Sequence, residues 1–294
     1  MANLKEIRTR ISSVRSTRKI TNAMKMVAAS KLKKAQDTVI NLRPYASKLR
    51  EILIHLITSM ETEEISSKYL RNGSEEKILL VIITSNKGLC GAFNANIINK
   101  GVELTNTKYA AQHKAGNLSF FPIGKKGVEY FHSKGYPLYS HDDQLLEQIS
   151  FKNAVPIMQK IMDAFTDGDF DKIEIIYNKF KNAAVQILTV EQFLPVDLNL
   201  KKKKKNGKNN YIYEPSKASI IQELIPNALR TQFYETLLES LAAEHGARMT
   251  AMHKATDNAT DLIKELQLTY NKERQASITN EILEVVSGAE ALTG

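Results

Sequence analysis

The C-terminal tail, residues 224–292, has the pattern of a single very long helix. After Pro226 the tail contains no proline, and its only glycines are Gly246 and Gly288. At 1.5 Å per residue the helix would be roughly 100 Å long, so it cannot bury an apolar stripe inside a small domain and needs a partner of similar length. The stripe recurs at steps of three and four residues. It consists of Tyr234, Leu238, Leu241, His245, Arg248, Met252, Ala255, Ala259, Leu262 and Leu266.

The N-terminal segment carries a matching stripe and is the predicted partner. The pattern predicts a helix from Leu4 to about Met60, with Asn3 as its N-cap and Glu6 as the capping-box residue. Pro44 falls inside this pattern and predicts a kink or a restart of the helix. The two terminal segments together predict an antiparallel coiled coil within the chain. The N-terminal stripe is Leu4, Ile7, Ile11, Val14, Arg18, Thr21, Lys25, Ala28, Leu32, Ala35, Val39, Leu42, Ala46, Leu49, Leu53 and Leu56.

The middle of the chain has the sequence pattern of a small α/β domain. Continuous β-branched runs at 77–84 and 118–123 are typical of buried parallel strands, and 173–177 and 183–193 are further predicted strands. Helices are predicted from Phe93 toward His113, from 127 to 134, and over 151–165. This order predicts a mostly parallel sheet with an antiparallel edge. The predicted division is an N-terminal helix at 1–72, a Rossmann-like α/β domain at 73–195, a basic loop at 196–216 and a C-terminal helix at 217–294.

Positive charge is concentrated at the N-terminus. The whole chain has a net charge of +9, but residues 1–50 contain thirteen lysines and arginines against two acidic residues, which leaves about −2 for the remainder. The run Lys201–Lys205 adds a second basic segment in a loop. A helix with this imbalance indicates an acidic partner surface, and nucleic acid is the alternative partner.

The far end of the C-terminal helix has the opposite character. Residues 277–292 contain three acidic residues and no basic ones. Their apolar side chains spread around the helix, and an exposed apolar helix end indicates an interaction site. The two polar members of the stripe, His245 and Arg248, likewise suggest that partners outside the chain complete its burial. The apolar residues of the tip are Ile278, Ile282, Leu283, Val285 and Val286.

No stretch of the sequence has the pattern of a catalytic or cofactor site. The turn at 85–94 contains Gly88 and Gly91, but their spacing is not that of a phosphate-binding loop, so both are interpreted as structural turn residues. Cys90 has no histidine near it in sequence and is interpreted as a packed residue. The six histidines lack metal-ligand spacing. The sequence therefore predicts no catalytic residue, no cofactor and no metal.

Composition also constrains the compartment. A single cysteine excludes an internal disulfide and fits a reducing environment. No apolar run is long enough for a membrane span, and the basic N-terminus lacks the apolar core of a signal peptide.

Three motifs resemble the gamma subunits of F-type ATP synthases. They are ITNAMKMVAASKL at 20–32, SNKGLCG at 85–91, and EHGARMTAM at 244–252 with its continuations at 255–259 and 270–279. The similarity extends over nearly the whole chain, except that residues 198–212 depart from the family pattern through the lysine run. The resemblance implies a non-catalytic central-stalk rotor that couples transmembrane proton flow to ATP synthesis or hydrolysis.

The same resemblance implies partners and contact residues. The coiled coil would stand in the bore of a hexamer of alternating alpha and beta subunits, and the α/β domain would contact the epsilon subunit and the c-ring. The apolar tip would turn in an apolar sleeve. The absence of a transit peptide and of an inserted cysteine pair favours a bacterial protein, peripheral to the cytoplasmic face of the plasma (inner) membrane. The implied contacts with the beta-subunit loops and the bore are Met24, Lys25, Lys31, Lys33, Lys34, Arg248, Arg274, Gln275 and Thr279.

Two other readings of the residues stay open at this point. A basic coiled-coil protein could bind nucleic acid, although no aromatic residue lies among the basic positions before Tyr45. A small nucleotide-binding α/β enzyme is the other alternative, and it would have to bind NAD or ATP.

Overall fold

A computed structural model describes residues 4–58, 68–70, 75–196, 213–214 and 216–293. The chain forms two compact units, one of residues 29–248 and one of residues 1–28 with 249–294, and each is described by itself. The lysine run Lys201–Lys205, the predicted cap at Asn3 and the predicted end of the first helix at Met60 lie outside the described residues.

Both terminal segments are long helices, as predicted. Helix α1 is Leu4–Thr58 and helix α6 is Lys217–Thr293. Helix α1 continues through Pro44, so the predicted restart does not occur there. Proline removes one backbone donor, but the rest of the helix keeps its own hydrogen bonds. Among the described residues, no helix is both long enough and apolar enough to cross a membrane.

The unit of residues 29–248 contains a four-stranded sheet. Its strands are β1 (Ile78–Ile83), β2 (Leu118–Ile123), β3 (Lys172–Phe180) and β4 (Gln186–Leu194), in the spatial order β2-β1-β3-β4. Strand β1 pairs in parallel with both β2 and β3, and β4 pairs antiparallel with β3. The predicted parallel sheet with an antiparallel edge is therefore confirmed.

Side chains of β1 alternate between two apolar clusters on opposite faces of the sheet. Leu79, Val81 and Ile83 pack with helix α5 (Phe151–Thr166), with the end of α1, and with residues 221–237 of α6. The intervening Ile78, Leu80 and Ile82 pack with helices α2 (Phe93–Asn106) and α4 (Lys125–Ser133). Residues 243 and 247 of α6 join this second cluster. Helix α6 thus contributes to both clusters, which explains why nearly all of 236–248 is buried.

Some element boundaries differ from the prediction. The single helix predicted from Phe93 toward His113 is two helices, α2 and a short α3 (Ala110–Lys114). Helix α2 ends before Thr107, whose backbone leaves the helical region although its amide and its hydroxyl both still donate to the carbonyl of Glu103. Strand β4 begins later than predicted because the Asn182 side chain accepts hydrogen bonds from the amides of residues 184 and 185. Two short 3-10 helices, Lys68–Leu70 and Leu145–Glu147, complete the described elements.

The buried positions of α1 within this unit follow the predicted stripe. Helix packing is set by which side chains share a face, and the 3.6-residue repeat places the stripe on one face. The stripe residues buried in this unit are Leu32, Ala35, Val39, Leu49, Leu53 and Leu56.

The unit of residues 1–28 and 249–294 pairs α1 and α6 in antiparallel fashion. Nη2 of Arg8 donates to the Tyr270 hydroxyl at 2.7 Å, and the hydroxyls of Thr21 and Thr256 lie 2.9 Å apart. The later residue of α1 thus pairs with the earlier residue of α6, so the two helices run in opposite directions. The apolar contacts between the two segments involve Ile7, Ile11, Val14, Leu262, Leu266 and Tyr270. The predicted antiparallel coiled coil is confirmed here.

Candidate functional site

The turn after β1 is held by its own side chains. Ser85 donates its amide to Oδ1 of Asn94 at 2.9 Å and its hydroxyl to the Lys87 carbonyl at 2.7 Å. Gly91 has φ +61°, and Leu89 also has φ +61° although it carries a side chain. Gly88 has no positive φ and faces open space, so its role in the turn rests on its carbonyl oxygen. The structural role predicted for the two glycines fits this geometry but stays a prediction.

The carboxyl edge of the parallel strands, where nucleotides bind in many α/β folds, is filled by the chain itself. Oδ1 of Asn86 accepts the Lys125 amide at the start of α4 at 3.0 Å. The Thr84 hydroxyl accepts the Gly127 amide at 2.9 Å, and a Cβ on Gly124 would lie 2.7 Å from the Thr84 carbonyl oxygen. Amides at the N-terminus of a helix bind a phosphate by donating hydrogen bonds to it. Here the Lys125 and Gly127 amides already donate to side chains of this chain. This geometry disfavours the nucleotide-binding enzyme.

A buried cluster of charged side chains joins α6 to the β1–α2 turn. Nη1 of Arg248 donates to Oε1 of Glu244, one helical turn earlier, at 2.6 Å. Its Nη2 donates to the Lys87 carbonyl at 2.8 Å, and Nε and Nη2 donate to the Gly88 carbonyl at 3.3 and 3.2 Å. The guanidinium of Arg248 thus donates all of these hydrogen bonds to acceptors within this chain. Arg248 is 9% exposed and His245 is 8% exposed. The expectation that outside partners complete their burial is therefore wrong.

Burial dominates the protonation of this cluster. Burial raises the pKa of Glu244, against the opposing effects of Arg248 and Lys31. Burial also lowers the pKa of His245 to about 4, and the positive charges of Arg248 and Lys31 act in the same direction. His245 is therefore neutral at physiological pH. Nδ1 of His245 lies 3.4 Å from Nη1 of Arg248, which fits an accepting Nδ1.

The structure thus brings four predicted site residues into one region. Gly88 and Arg248 are in direct contact, Gly91 ends the same turn, and Lys31 is close enough to affect the charges of Glu244 and His245. Arg248 has little surface left for a partner subunit, so the contact predicted for it stays a prediction that its burial disfavours.

The basic positions of α1 differ in exposure. Met24 and Lys25 are half-buried, whereas Lys31, Lys33 and Lys34 are exposed. Within the described part of the chain these three lysines form no ion pair, although Lys31 is close enough to influence Glu244 and His245. Sequence reasoning missed the exposed apolar side chains among them. Those side chains are Ile20, Met26 and Val27, each more than half exposed, and all three lie inside the 20–32 motif that could have signalled them.

The predicted contacts near the end of α6 are on its surface. Arg274, Gln275 and Thr279 are all exposed, and the Thr279 hydroxyl donates to the Gln275 carbonyl at 3.0 Å. The tip residues are also exposed, and no apolar cluster formed by the described residues includes them. Their exposed fractions are 48% for Ile278, 57% for Ile282, 57% for Leu283, 72% for Val285 and 48% for Val286.

Cys90 is a packed residue. Cys90 is buried, burial raises the pKa of its thiol, and its sulfur accepts from the Asn94 side chain at 3.3 Å. This agrees with a packed residue and not with an activated nucleophile. Among the residues that the structure describes, no group of three or more His, Cys, Asp or Glu side chains could hold a metal ion.

Comparison with known proteins places the chain in a family. A sequence model described as "ATP synthase" matches residues 3–292. The ATP synthase gamma chain of Flavobacterium johnsoniae is 52% identical over the whole of both chains, and that of Christiangramia forsetii is 49% identical, also over the whole of both. The chain belongs to the family of ATP synthase gamma chains.

Solved structures of mitochondrial ATP synthases contain chains that share the fold of this chain. A central-stalk structure of the Tetrahymena thermophila mitochondrial ATP synthase is 29% identical, with a TM-score of 0.60, and the match covers 80% of this chain and 99% of that one. A chain from the OSCP/F1/c-ring structure of the Euglena gracilis mitochondrial ATP synthase is 20% identical, with a TM-score of 0.67 over 98% of this chain and 94% of that one, and it supports the fold. The resemblance to bacterial gamma subunits and the prediction of a central-stalk rotor subunit are confirmed.

Proposed function

We propose that this chain turns inside a hexamer of alternating alpha and beta subunits and couples proton flow through the membrane to ATP synthesis or hydrolysis there. One observation carries the proposal. The lysines of α1 at 31, 33 and 34 are exposed and have no ion-pair partner among the described residues, and they lie within the first fifty residues of the chain, whose net charge is +11. Repulsion among like charges costs free energy, so a complementary acidic surface explains their retention.

The different side chains of α1 and α6 would couple rotation of this chain to the conformations of the partner subunits. Helix α1 presents basic side chains, and the last part of α6 presents acidic and apolar ones. A partner subunit that meets α1 therefore experiences a different field from one that meets α6. A bound protein shifts a conformational equilibrium only through such differential contacts. Rotation would then bias each catalytic subunit in turn.

The apolar tip would act as the bearing of the shaft. Its apolar side chains point around the helix and are about half exposed or more, and no lysine or arginine follows Arg274. Apolar contacts lack the direction of hydrogen bonds and ion pairs, so they hold the axis without favouring one angle. We propose further contacts with the hexamer at Arg274 and Gln275, just before this bearing, and at Thr279 within it.

The chemistry of ATP would remain in the partner subunits. The carboxyl edge of the sheet is filled by the chain, which supports a non-catalytic role for this subunit. The α/β unit would contact the epsilon subunit and the c-ring, and the subunit would be peripheral to the bacterial inner membrane on its cytoplasmic face. The proposal also includes the four segments predicted from the sequence, with boundaries at 1–72, 73–195, 196–216 and 217–294.

Co-purification tests the proposal. A tagged form of this chain should recover nucleotide-binding alpha and beta subunits together with epsilon from membranes. ATP hydrolysis should require that assembly. The chain alone is the matched control, and a hydrolysis rate for it comparable to that of the assembly would contradict the proposal. A steeply salt-dependent affinity for DNA or RNA would instead support the nucleic-acid alternative.

A further inference from the structure

Leu89 combines a strained backbone with an exposed apolar side chain. Its φ of +61° lies in the left-handed region, and within the described part of the chain it is the one residue other than glycine with a positive φ. A residue with a Cβ is disfavoured in that conformation. The side chain is 64% exposed, so packing within this chain offsets little of the strain. A single exposed leucine is ordinary, but a strained one on a surface turn indicates a role in function.

Hydrogen bonds fix the backbone immediately before Leu89. The Lys87 carbonyl accepts from Nη2 of Arg248 at 2.8 Å and from the Ser85 hydroxyl at 2.7 Å. The Gly88 carbonyl accepts from Nη2 and Nε of Arg248 at 3.2 and 3.3 Å. Arg248 therefore holds both of the peptide units that precede Leu89. A side chain on a fixed backbone loses little conformational freedom when a partner contacts it, so the contact costs less free energy to form.

Unpaired lysines lie near this turn. Burial raises the pKa of Glu244, and Arg248 is the first of the cations that oppose the rise. Lys31 and Lys87 oppose it as well, so both lie near the cluster that holds the turn. Both are exposed, and neither forms an ion pair with another described residue. An apolar side chain next to such lysines fits a partner surface with carboxylates around an apolar recess.

We propose that Leu89 is an apolar contact with the same acidic surface of a beta subunit that meets the lysines of α1, and that Arg248 is the positioning residue that holds Leu89 for this contact. The inference rests on the proposed function, because it takes the surrounding hexamer as the partner. Arg248 is buried and has little surface left for a partner, so its effect on the hexamer passes through Leu89. The turn at 85–91 and the stretch 244–252 thus act together.

Thiol labelling tests the contact itself. In a Cys90→Ser background, Leu89→Cys should react with a maleimide on the order of tenfold more slowly in the complex with alpha and beta subunits than in the isolated chain. Val185→Cys is the matched control, because Val185 is another exposed apolar residue of a turn in the same unit, and its rate should be the same in both.

The labelling result separates this inference from the proposed function. An unchanged rate for Leu89→Cys in an assembled complex that hydrolyses ATP would overturn the inference and leave the proposed function intact. Failure of the wild-type chain to assemble with alpha and beta subunits would instead contradict the proposed function.

Proton pumping tests the contribution of Leu89 to coupling. Asparagine tolerates the left-handed conformation, so the isolated Leu89→Asn chain should be at least as stable in urea as the wild type. ATP-driven pumping by its complex should nevertheless fall on the order of fivefold at an equal rate of ATP hydrolysis, because the apolar contact is lost. Leu89→Met keeps an apolar side chain and should pump like the wild type. Wild-type pumping by Leu89→Asn would overturn the inference.

A double variant tests the positioning role of Arg248. Arg248→Lys keeps a positive charge beside Glu244 but cannot donate in the same fork geometry, so it should also lower pumping. Arg248→Lys combined with Leu89→Asn should pump no less than Leu89→Asn alone, because the effect of Arg248 passes through Leu89. Additive losses in the double variant would contradict the positioning role, since a purely structural defect at Arg248 adds to the loss of the contact.

Discussion

Nη2 of Arg248 donates a 2.8 Å hydrogen bond to the carbonyl oxygen of Lys87, which lies 161 residues earlier in the chain. The same guanidinium holds Glu244 at 2.6 Å. Through this one side chain, helix α6 is tied to the turn that follows the central strand β1.

Truncation of Arg248 should be strongly destabilising. Arg248→Ala leaves Glu244 buried without its counterion and leaves the Lys87 and Gly88 carbonyls without their donor, so we expect a loss of about 3 to 5 kcal/mol in the free energy of unfolding. Urea denaturation of the isolated chain measures it. Arg274→Ala, at an exposed position of the same helix, should change stability by less than about 0.5 kcal/mol.

The charge left on Glu244 should account for part of that loss. In the double variant Arg248→Ala with Glu244→Gln, no isolated charge is buried, so we expect it to be more stable than Arg248→Ala alone. If the double variant were less stable by the sum of two independent losses, the buried pair described here would not be the source of the effect.

His245 should make the chain less stable in mild acid. Its pKa is about 4 in the folded chain against an ordinary value of 6.5, so the folded state binds its proton less well than the unfolded state does. Its contribution is therefore fully present above about pH 6.5 and is lost as the pH falls toward about 4, by at most about 3 kcal/mol. The raised pKa of Glu244 has the opposite sign, because that group takes up a proton more readily when folded.

Comparison of His245→Gln with the wild type isolates this effect. The variant should lack the part of the acid destabilisation that lies between about pH 6.5 and pH 4, as measured by urea unfolding at several pH values. His253→Gln is the matched control, because His253 lies on the same helix and is exposed beside Asp257. Identical pH profiles for His245→Gln and the wild type would contradict a buried neutral imidazole.

Gly124 should tolerate no side chain. It has φ +102°, and a Cβ there would lie 2.7 Å from the Thr84 carbonyl oxygen, so Gly124→Ala should cost more than about 2 kcal/mol. Gly88→Ala is the control, since Gly88 faces open space without a positive φ, and it should cost less than about 0.5 kcal/mol. Thermal or urea unfolding compares the two, and equal costs would mean that the close contact at Thr84 is not real.

Charge reversal on α1 should weaken coupling more than assembly. We expect the complex with Lys31→Glu, Lys33→Glu and Lys34→Glu to assemble and hydrolyse ATP but to pump protons on the order of fivefold less well, equivalent to about 1 kcal/mol. ATP-driven acidification of inverted membrane vesicles measures this. Reversal of Lys114, Lys134 and Lys181, three exposed lysines of the α/β unit, changes the net charge equally and is the control. Unchanged pumping in the first variant would remove the role proposed for these lysines.

Periodicity predicted the helices and the sheet because both depend on local repeats. Leu32, Ala35 and Val39 are buried because a 3.6-residue repeat places them on one face, and β1 is buried along its whole length because an apolar run suits a strand covered on both sides. These burial patterns can be predicted from residues that are close together in the sequence.

The Arg248 cluster and the ion-pair contacts of Glu239 could not be predicted in the same way. Periodicity identified Arg248 as a polar interruption of an apolar stripe, but its partners come from a turn 161 residues away. Glu239 meets Arg43 and Lys179, which are distant in sequence, and no repeat relates the three positions. The break at Thr107 was missed for a smaller reason, since a threonine that bonds back to the preceding turn occurs within helices as well as at their ends.

Rotation of this chain within its complex tests the central claim most directly. A probe attached through Lys134→Cys, an exposed position, avoids Cys90, whose buried thiol reacts slowly. With the alpha and beta subunits fixed to a surface, addition of ATP should turn the probe continuously in one direction. ATP hydrolysis by the complex while the probe stays still would contradict the account.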